Sequence, residues 1–239
     1  SYAIIAMYYA NGEDKLKVTR SLIPSTFEEE ETEQEEYKNT FIKSANHRGY
    51  YTKPENTLIA FAESKRKGFD LIENDVRWTS DGVAVLLHDE SINRVARNAD
   101  GTELSSTVNI ADITYEQALT YDFGIYKGAE YAGTKICTLE ECIAFCRNAG
   151  IGILLEPKVT GHATEIVNLV KKYGMLEHVI FNAFNSTIVT QIAELVPNAN
   201  YTLTRTAYSV DTLNICIGLK TETNKVYFAI DYTSETLDQ

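Results

Sequence analysis

Strand-like and helix-like segments alternate from about residue 41 to the end of the chain. For example, the apolar run IGILLEPK (151–158) is followed by ATEIVNLVKKYG (163–174), which carries apolar residues at helical spacing. About six such pairs can be counted. Because strands that alternate with helices of this length are joined by crossover connections, the pattern predicts an α/β fold with a parallel sheet.

The first 40 residues follow a different pattern. The segments SYAIIAMYYA (1–10) and KLKVTRSLI (15–23) are rich in β-formers, and the intervening NGED is a turn signal, so a hairpin is predicted. Residues 28–38 contain seven Glu and one Lys and predict an exposed acidic linker. We therefore predict a β hairpin and acidic linker over 1–40 and an α/β domain over 41–239. The alternative is that the hairpin decorates the larger domain.

Composition excludes several classes of protein. The chain has 239 residues, of which 44% are hydrophobic and 23% charged, and no apolar run approaches the ~18 residues that cross a bilayer. A net charge of −12 without a basic stripe argues against nucleic acid as the partner. Four cysteines, with no second Cys or His pair at metal-ligand spacing, predict buried free thiols: Cys137, Cys142, Cys146 and Cys216.

Two acids share one face of the predicted strand LIENDVRW (71–78). Since side chains alternate along a strand, Glu73 and Asp75 project to the same side. Neighbouring carboxylates repel each other unless a positive charge lies between them, and hard divalent cations favour carboxylate oxygens. The strand therefore predicts a metal site. The alternative is a set of structural ion pairs with Arg77 and Lys158.

The order of motifs in this part of the chain resembles the glycerophosphodiester phosphodiesterase family. The motifs are HRG at 47–49, PENT at 54–57, IENDV at 72–76, DGVAVLLHD at 81–89 and, as the third strand, GILLEPK at 152–158. The last is similar to the family's E-x-K strand, although Pro157 stands where an aliphatic residue is commoner. The resemblance implies a (β/α)8 TIM-barrel fold with an insertion at about 90–136. Because about six units are visible, the barrel is expected to be incomplete at its C-terminus.

The resemblance also implies a metal-dependent site at the carboxyl ends of the strands. Glu73, Asp75 and Glu156 would hold one divalent cation, either Ca²⁺ or Mg²⁺. His47 and His88 would act as general acid and base, because imidazole titrates near neutrality. One histidine would deprotonate water or a substrate hydroxyl and the other would protonate the leaving alkoxide. Which histidine has which role stays open.

Four further residues are expected around this centre. Arg48 offers a planar fork for phosphate oxygens, and Lys158 shares a strand face with Glu156 and adds a second positive charge. The alternative for Arg48 is a buried ion pair with Glu55 or Asp89. Glu55 and Asn56 are expected either to orient the site residues or simply to begin a helix.

The function implied by the resemblance is hydrolysis of a glycerophosphodiester to glycerol 3-phosphate and an alcohol. The substrate would be a deacylated phospholipid headgroup or a polymer such as a glycerol-phosphate teichoic acid. The strand-rich start and the acidic linker motivate an alternative: a binding or structural module of a larger cell-surface or virion-tail protein that recognises such polymers. We also expect additional domains in a longer chain and favour an extracellular, cell-surface or virion-associated location, with the cytoplasm as the alternative. A barrel phospholipase would need an exposed apolar rim, for which the sequence offers no long apolar loop.

Overall fold

The computed structural model describes residues 5–8, 43–205 and 210–230. The strands are β1 (Ile5–Tyr8), β2 (Lys43–Asn46), β3 (Leu71–Trp78), β4 (Ala84–Leu86), β5 (Gly152–Pro157), β6 (Val179–Ala183), β7 (Asn200–Arg205) and β8 (Val226–Ile230). The helices are α1 (Leu58–Arg66), α2 (Tyr115–Ala118), α3 (Leu139–Ala149), α4 (Ala163–Lys172), α5 (Ser186–Leu195) and α6 (Val210–Leu219). Within these ranges no helix has the length and apolar character needed to cross a membrane.

The strands form one curled sheet in the order β1-β2-β3-β5-β6-β7-β8, and every neighbouring pair in that order is parallel. Helices connect successive strands from β2 onward, except that β4 returns antiparallel to β3. Closed (β/α)8 barrels have eight parallel strands. The described part of the chain supplies seven, so the predicted fold, an incomplete TIM-type barrel, is confirmed.

The two faces of the sheet bury different cores. The outer face packs against the helices through a large apolar cluster that includes Phe61, Ile72 and Phe181. The inner face begins with a small apolar layer formed by Ala45, Leu71, Leu154 and Ile180. Strand alternation places polar side chains two residues further along the same face, Glu73, Glu156 and Asn182, and Asp75 and Lys158 follow after two more residues. The inside of the curled sheet is therefore apolar at the amino ends of the strands and charged at the carboxyl ends.

The N-terminal segment is only partly described. Residues 5–8 form β1, which lies parallel to β2 and so belongs to the same sheet as the larger predicted domain. The second strand of the predicted hairpin (15–23) and the acidic linker lie outside the described residues. The division at residue 40 therefore stays a prediction.

Residues 90–136 contribute no strand to the parallel sheet but have a small core of their own. Apolar side chains such as Ile92, Ile110 and Phe123 pack together and against Val85 of β4. The carboxylate of Asp122 accepts three backbone N–H bonds, from Gly124, Ile125 and Gly133. This insertion is therefore a packed unit that lies against the barrel. The four cysteines are buried free thiols, as predicted.

Candidate active site

Three buried carboxylates meet at the carboxyl ends of β3 and β5. Asp75 and Glu156 are direct partners across the two strands, and Glu73 lies on the same face as Asp75. Each of the three residues is at most 4% exposed. One oxygen from each acid lies within 4.8 Å of the others. The strand alternation predicted from sequence therefore brings the three acids together, as expected.

Burial and neighbouring charges act differently on these acids. Burial, together with the charges of Asp75 and Glu156, raises the pKa of Glu73 well above its ordinary value. Burial also acts to raise the pKa of Asp75, but Lys158 and Arg48 outweigh it and the pKa is lowered. Burial raises the pKa of Glu156 despite the ammonium of Lys158. Negative charge is therefore compensated at Asp75 and poorly compensated at Glu73.

The donor set fits a hard divalent cation. All three acids offer carboxylate oxygens, and no Cys or His belongs to this cluster. Oxygen ligands lie about 2.0–2.1 Å from Mg²⁺ and 2.3–2.6 Å from Ca²⁺, so two ligands of one cation are at most ~4–5 Å apart. The spacing of the three oxygens falls within that limit. The cluster could therefore hold one divalent cation.

Part of the predicted ion-pair alternative is also present. The ammonium of Lys158 lies 2.8 Å from Asp75 Oδ1 and contacts Glu156. Arg77 forms no ion pair with these three acids, and its Nε donates to the carbonyl of His88 at 2.9 Å. Lys158 thus lies beside the carboxylates, and its role in binding phosphate stays a prediction.

Arg48 contacts the acids with both its backbone and its side chain. Its N–H donates to Glu73 at 2.8 Å, and its Nε lies 3.3 Å from Asp75 Oδ2. Its guanidinium also lies 3.3 Å from Glu55, so the predicted ion pair with Glu55 is present. Asp89 has a different partner, described below. The role of Arg48 in binding phosphate stays a prediction.

The turn that places His47 and Arg48 requires glycine at position 49. Gly49 has a φ of +83°, and a Cβ there would lie 2.6 Å from the Cβ of Ala60 on α1. Gly68 has a similar φ of +84° but open space around it, so it reports backbone strain alone.

We expect Gly49→Ala to lower the free energy of unfolding by at least about 3 kcal/mol, because strain and a steric clash add. Gly68→Ala should cost only about 1 kcal/mol, from strain. Urea denaturation of the two variants measures the difference. Equal losses would show that the turn can move away from α1.

The two histidines have different surroundings. His47 follows β2, and its Nε2 lies 3.9 Å from Glu73 Oε2. Burial, helped by the charge of Arg48, lowers the pKa of His47 to about 4. His88 is more exposed, and its Nδ1 is hydrogen-bonded to Asp89 Oδ1 at 2.7 Å. That bond fixes the ring of His88 and leaves its Nε2 for another partner.

The PENT segment supports the acids. The side chain of Asn56 donates to Asp75 Oδ2 at 2.9 Å and accepts from the Asp75 backbone N–H at 3.3 Å. Thr57 is the N-cap of α1, since its hydroxyl accepts from the N–H of Ala60. Thr57 therefore has the helix-start role, whereas Asn56 contacts Asp75 and one oxygen of Glu55 contacts Arg48.

Three side chains near the site were not predicted from sequence. Asn182 of β6 donates to Glu156 at 2.5 Å and accepts a hydrogen bond of 2.7 Å from Thr204 of β7. Arg94, in the insertion, contacts Asp89 and Glu55. Asn182 is the polar position of the otherwise apolar strand β6, which is a signal in hindsight, whereas nothing in the pattern around Thr204 or Arg94 distinguishes them.

Comparisons with known proteins give one family. The sequence model of the Glycerophosphoryl diester phosphodiesterase family matches residues 47–229. A glycerophosphodiester phosphodiesterase of Caldanaerobacter subterraneus subsp. tengcongensis is 34% identical over 153 residues, covering 61% of this chain and 58% of the relative. Human glycerophosphodiester phosphodiesterase 1 is 32% identical over 158 residues, covering 65% and 44%. The chain thus spans about half the length of these curated relatives.

Solved structures agree with the fold. A phosphodiesterase from Oleispira antarctica, in complex with the product sn-glycerol-3-phosphate, superposes with a TM-score of 0.66 at 25% identity, covering 74% of this chain and 71% of that one. A glycerophosphodiester phosphodiesterase from Agrobacterium tumefaciens gives a TM-score of 0.59 at 24% identity, covering 68% and 65%. With the family match over residues 47–229, these results show that the chain belongs to the glycerophosphoryl diester phosphodiesterase family.

Proposed function

We propose that this chain hydrolyses a glycerophosphodiester to glycerol 3-phosphate and an alcohol, with one divalent cation at the site. The observation that carries the proposal is the set of buried acids from β3 and β5, with His47 and two basic side chains beside it. Membership of the family and the names of the relatives support it. The product complex of the Oleispira antarctica structure concerns the same class of compound.

The acids Glu73, Asp75 and Glu156 would hold the cation, Ca²⁺ or Mg²⁺. When bound, it supplies positive charge that stabilises the phosphoryl oxygens during the displacement. Arg48 and Lys158 lie beside the same acids and add donors for the phosphate oxygens. The cation, Arg48 and Lys158 would thus surround a phosphate with positive charge beside the buried acids.

The two histidines would move the protons. One takes a proton from the attacking water or substrate hydroxyl, and the other gives a proton to the leaving alkoxide. His88 is suited to a fixed direction of transfer because Asp89 holds its Nδ1. His47 lies beside Glu73, next to the proposed cation. If a substrate hydroxyl attacks first, a cyclic phosphate forms and water opens it in a second step.

The alternative, a binding module for glycerol-phosphate polymers, is not favoured by the comparisons, because the relatives named above are phosphodiesterases. Both substrate classes, a small deacylated headgroup and a polymer, remain within the proposal. The shared chemistry is a phosphodiester with glycerol on one side.

We expect the purified protein to release glycerol 3-phosphate from glycerophosphocholine with added Ca²⁺ or Mg²⁺, to lose this activity with a chelator, and to regain it when the cation is restored. The physical reason is that three clustered carboxylates cannot stabilise a phosphoryl anion without a cation among them. Coupled enzymatic detection of glycerol 3-phosphate measures the rate.

Two results would contradict the proposal. Full activity after exhaustive chelation would overturn the role of the cation. A folded, cation-loaded protein that hydrolyses neither glycerophosphocholine nor a glycerol-phosphate polymer, yet binds the polymer, would overturn hydrolysis and support the binding module.

A further inference from the structure

One arginine of the insertion bridges two carboxylates at the edge of the site. The Nε of Arg94 donates to Asp89 Oδ2 at 2.6 Å. Its two terminal nitrogens donate to the two oxygens of Glu55, each at 2.7 Å. A planar guanidinium can make three such bonds in fixed geometry, whereas an ammonium on a flexible stem cannot present a fork.

Each of these carboxylates uses an oxygen to hold a residue of the site. Asp89 Oδ1 lies 2.7 Å from His88 Nδ1, and Glu55 Oε1 lies 3.3 Å from the guanidinium of Arg48. Arg94 is therefore linked through Asp89 to His88, which follows β4, and through Glu55 to Arg48, which follows β2. His88 and Arg48 belong to different sequence motifs, and Arg94 contacts the carboxylate that holds each of them.

We propose that Arg94 is a positioning residue for hydrolysis: it fixes Asp89 and Glu55, which in turn orient the His88 ring and the Arg48 fork. This inference rests on the proposed function. It assigns the insertion a part in the reaction, since Arg94 reaches the barrel from outside the parallel strands.

Three observations distinguish this positioning role from a role in which Arg94 only holds the insertion against the barrel. The side chain of Arg94 is 45% exposed, and ion pairs with this exposure contribute little to folding stability. The insertion also has its own apolar cluster. In addition, the hydroxyl of Tyr126 accepts a hydrogen bond from the backbone N–H of Glu55, so a second contact holds the insertion against the PENT segment. A variant at Arg94 is therefore expected to fold.

We expect Arg94→Gln to lower kcat for glycerol 3-phosphate release by about 10- to 100-fold, the usual effect of losing a partner that orients a site residue. KM and the thermal midpoint should change little. Arg94→Lys should remain impaired, because it keeps the charge but loses the fork. The matched control is Arg66→Gln, which breaks a forked pair with Glu63 on α1 and should leave kcat unchanged.

A double-mutant cycle with Asp89→Asn tests whether Arg94 acts through Asp89. If it does, Arg94→Gln should cost clearly less in the Asp89→Asn background than in the wild type. Additive losses, full activity of Arg94→Lys, or a loss of kcat that parallels a loss of folded protein would each overturn the proposal.

A second readout does not depend on turnover. In the wild type and in Arg66→Gln, the Nδ1 proton of His88 should give a protected imidazole signal in proton–nitrogen NMR, assigned with His88→Asn. Arg94→Gln should broaden or remove this signal, because Asp89 is no longer held. If the wild type shows no turnover, the proposed function fails, and this signal still decides the structural role of Arg94: an unchanged signal in Arg94→Gln overturns it.

Discussion

In the cation-free protein, Asp75→Asn should lower the free energy of unfolding by about 3–5 kcal/mol, whereas Glu73→Gln should leave it unchanged or raise it. Asp75 is buried and paired with Lys158 at 2.8 Å and Arg48 at 3.3 Å. Its replacement removes one carboxylate partner from each of two half-buried positive charges and leaves Lys158 with Glu156 and Arg48 with Glu55. Asn56, which donates to Asp75 Oδ2, would also lose a charged acceptor.

Glu73 is in the opposite situation. Burial and the two neighbouring acids raise its pKa well above the ordinary value, so its folded state binds a proton more tightly than its unfolded state does. The stability contributed by this group is therefore present at low pH and is lost as the pH rises through the ordinary pKa of glutamate towards the raised one. At pH 7 a neutral Gln removes that penalty and still accepts the N–H of Arg48.

Urea denaturation at pH 7 with a chelator measures this contrast. Adding Ca²⁺ or Mg²⁺ to a protein that binds it should stabilise the wild type by RT ln(1 + [L]/Kd). Neither Asp75→Asn nor Glu73→Gln should gain as much, while the control Glu63→Gln on α1 should gain as the wild type does. If the cation stabilised Glu73→Gln as strongly as the wild type, Glu73 would not be a ligand.

Replacing His88 with alanine should lower kcat by about 10²- to 10⁴-fold, the range that a positioned general acid or base contributes. His47→Ala should lose activity in the same range. The thermal midpoint of His88→Ala should stay near that of the wild type, because this side chain is partly exposed and its main contact is with Asp89. His178→Ala is the matched control, since this histidine is exposed and lies at the start of β6, at the opposite end of the sheet from the site.

Steady-state rates of glycerol 3-phosphate release from the four proteins give the comparison. His88→Ala is the cleaner test of the two, because His47 lies 3.9 Å from Glu73 and its loss also changes the surroundings of the acids. A His88→Ala variant with the wild-type kcat would remove His88 from the reaction and leave proton transfer to other groups.

Local patterns in the sequence were sufficient to predict the acids. Alternation within LIENDVRW placed Glu73 and Asp75 on one face, and both are 1% exposed on the inner face of the sheet. That Glu156 faces Asp75 across β3 and β5 depends on strand order and register, which local alternation does not contain. The barrel itself was implied by the resemblance to a family, since alternating strands and helices alone indicate only a parallel α/β sheet.

Contacts that depend on the path of the insertion could not be predicted. Arg94 and Glu55 are 39 residues apart, and the segment around Arg94 has no helical or strand periodicity that would fix its position. The strand β4 shows a related limit. Its antiparallel pairing with β3 follows from the turn at residues 79–83 and from burial of Val85 and Leu86, which the motif DGVAVLLHD does not specify.

The inward-facing groups are distributed unevenly along the chain. Every residue assigned here to cation, phosphate or proton transfer lies between His47 and Lys158. Among the described residues of β6–β8 and the segments between them, the contributions are the support of Glu156 by Asn182 and an exposed Phe184, whose ring lies 5.9 Å from the Lys158 ammonium. Under the proposed function, residues in the second half of the fold can therefore change without replacing any residue proposed for hydrolysis. A laboratory search for new substrate range would begin with randomisation at residue 184.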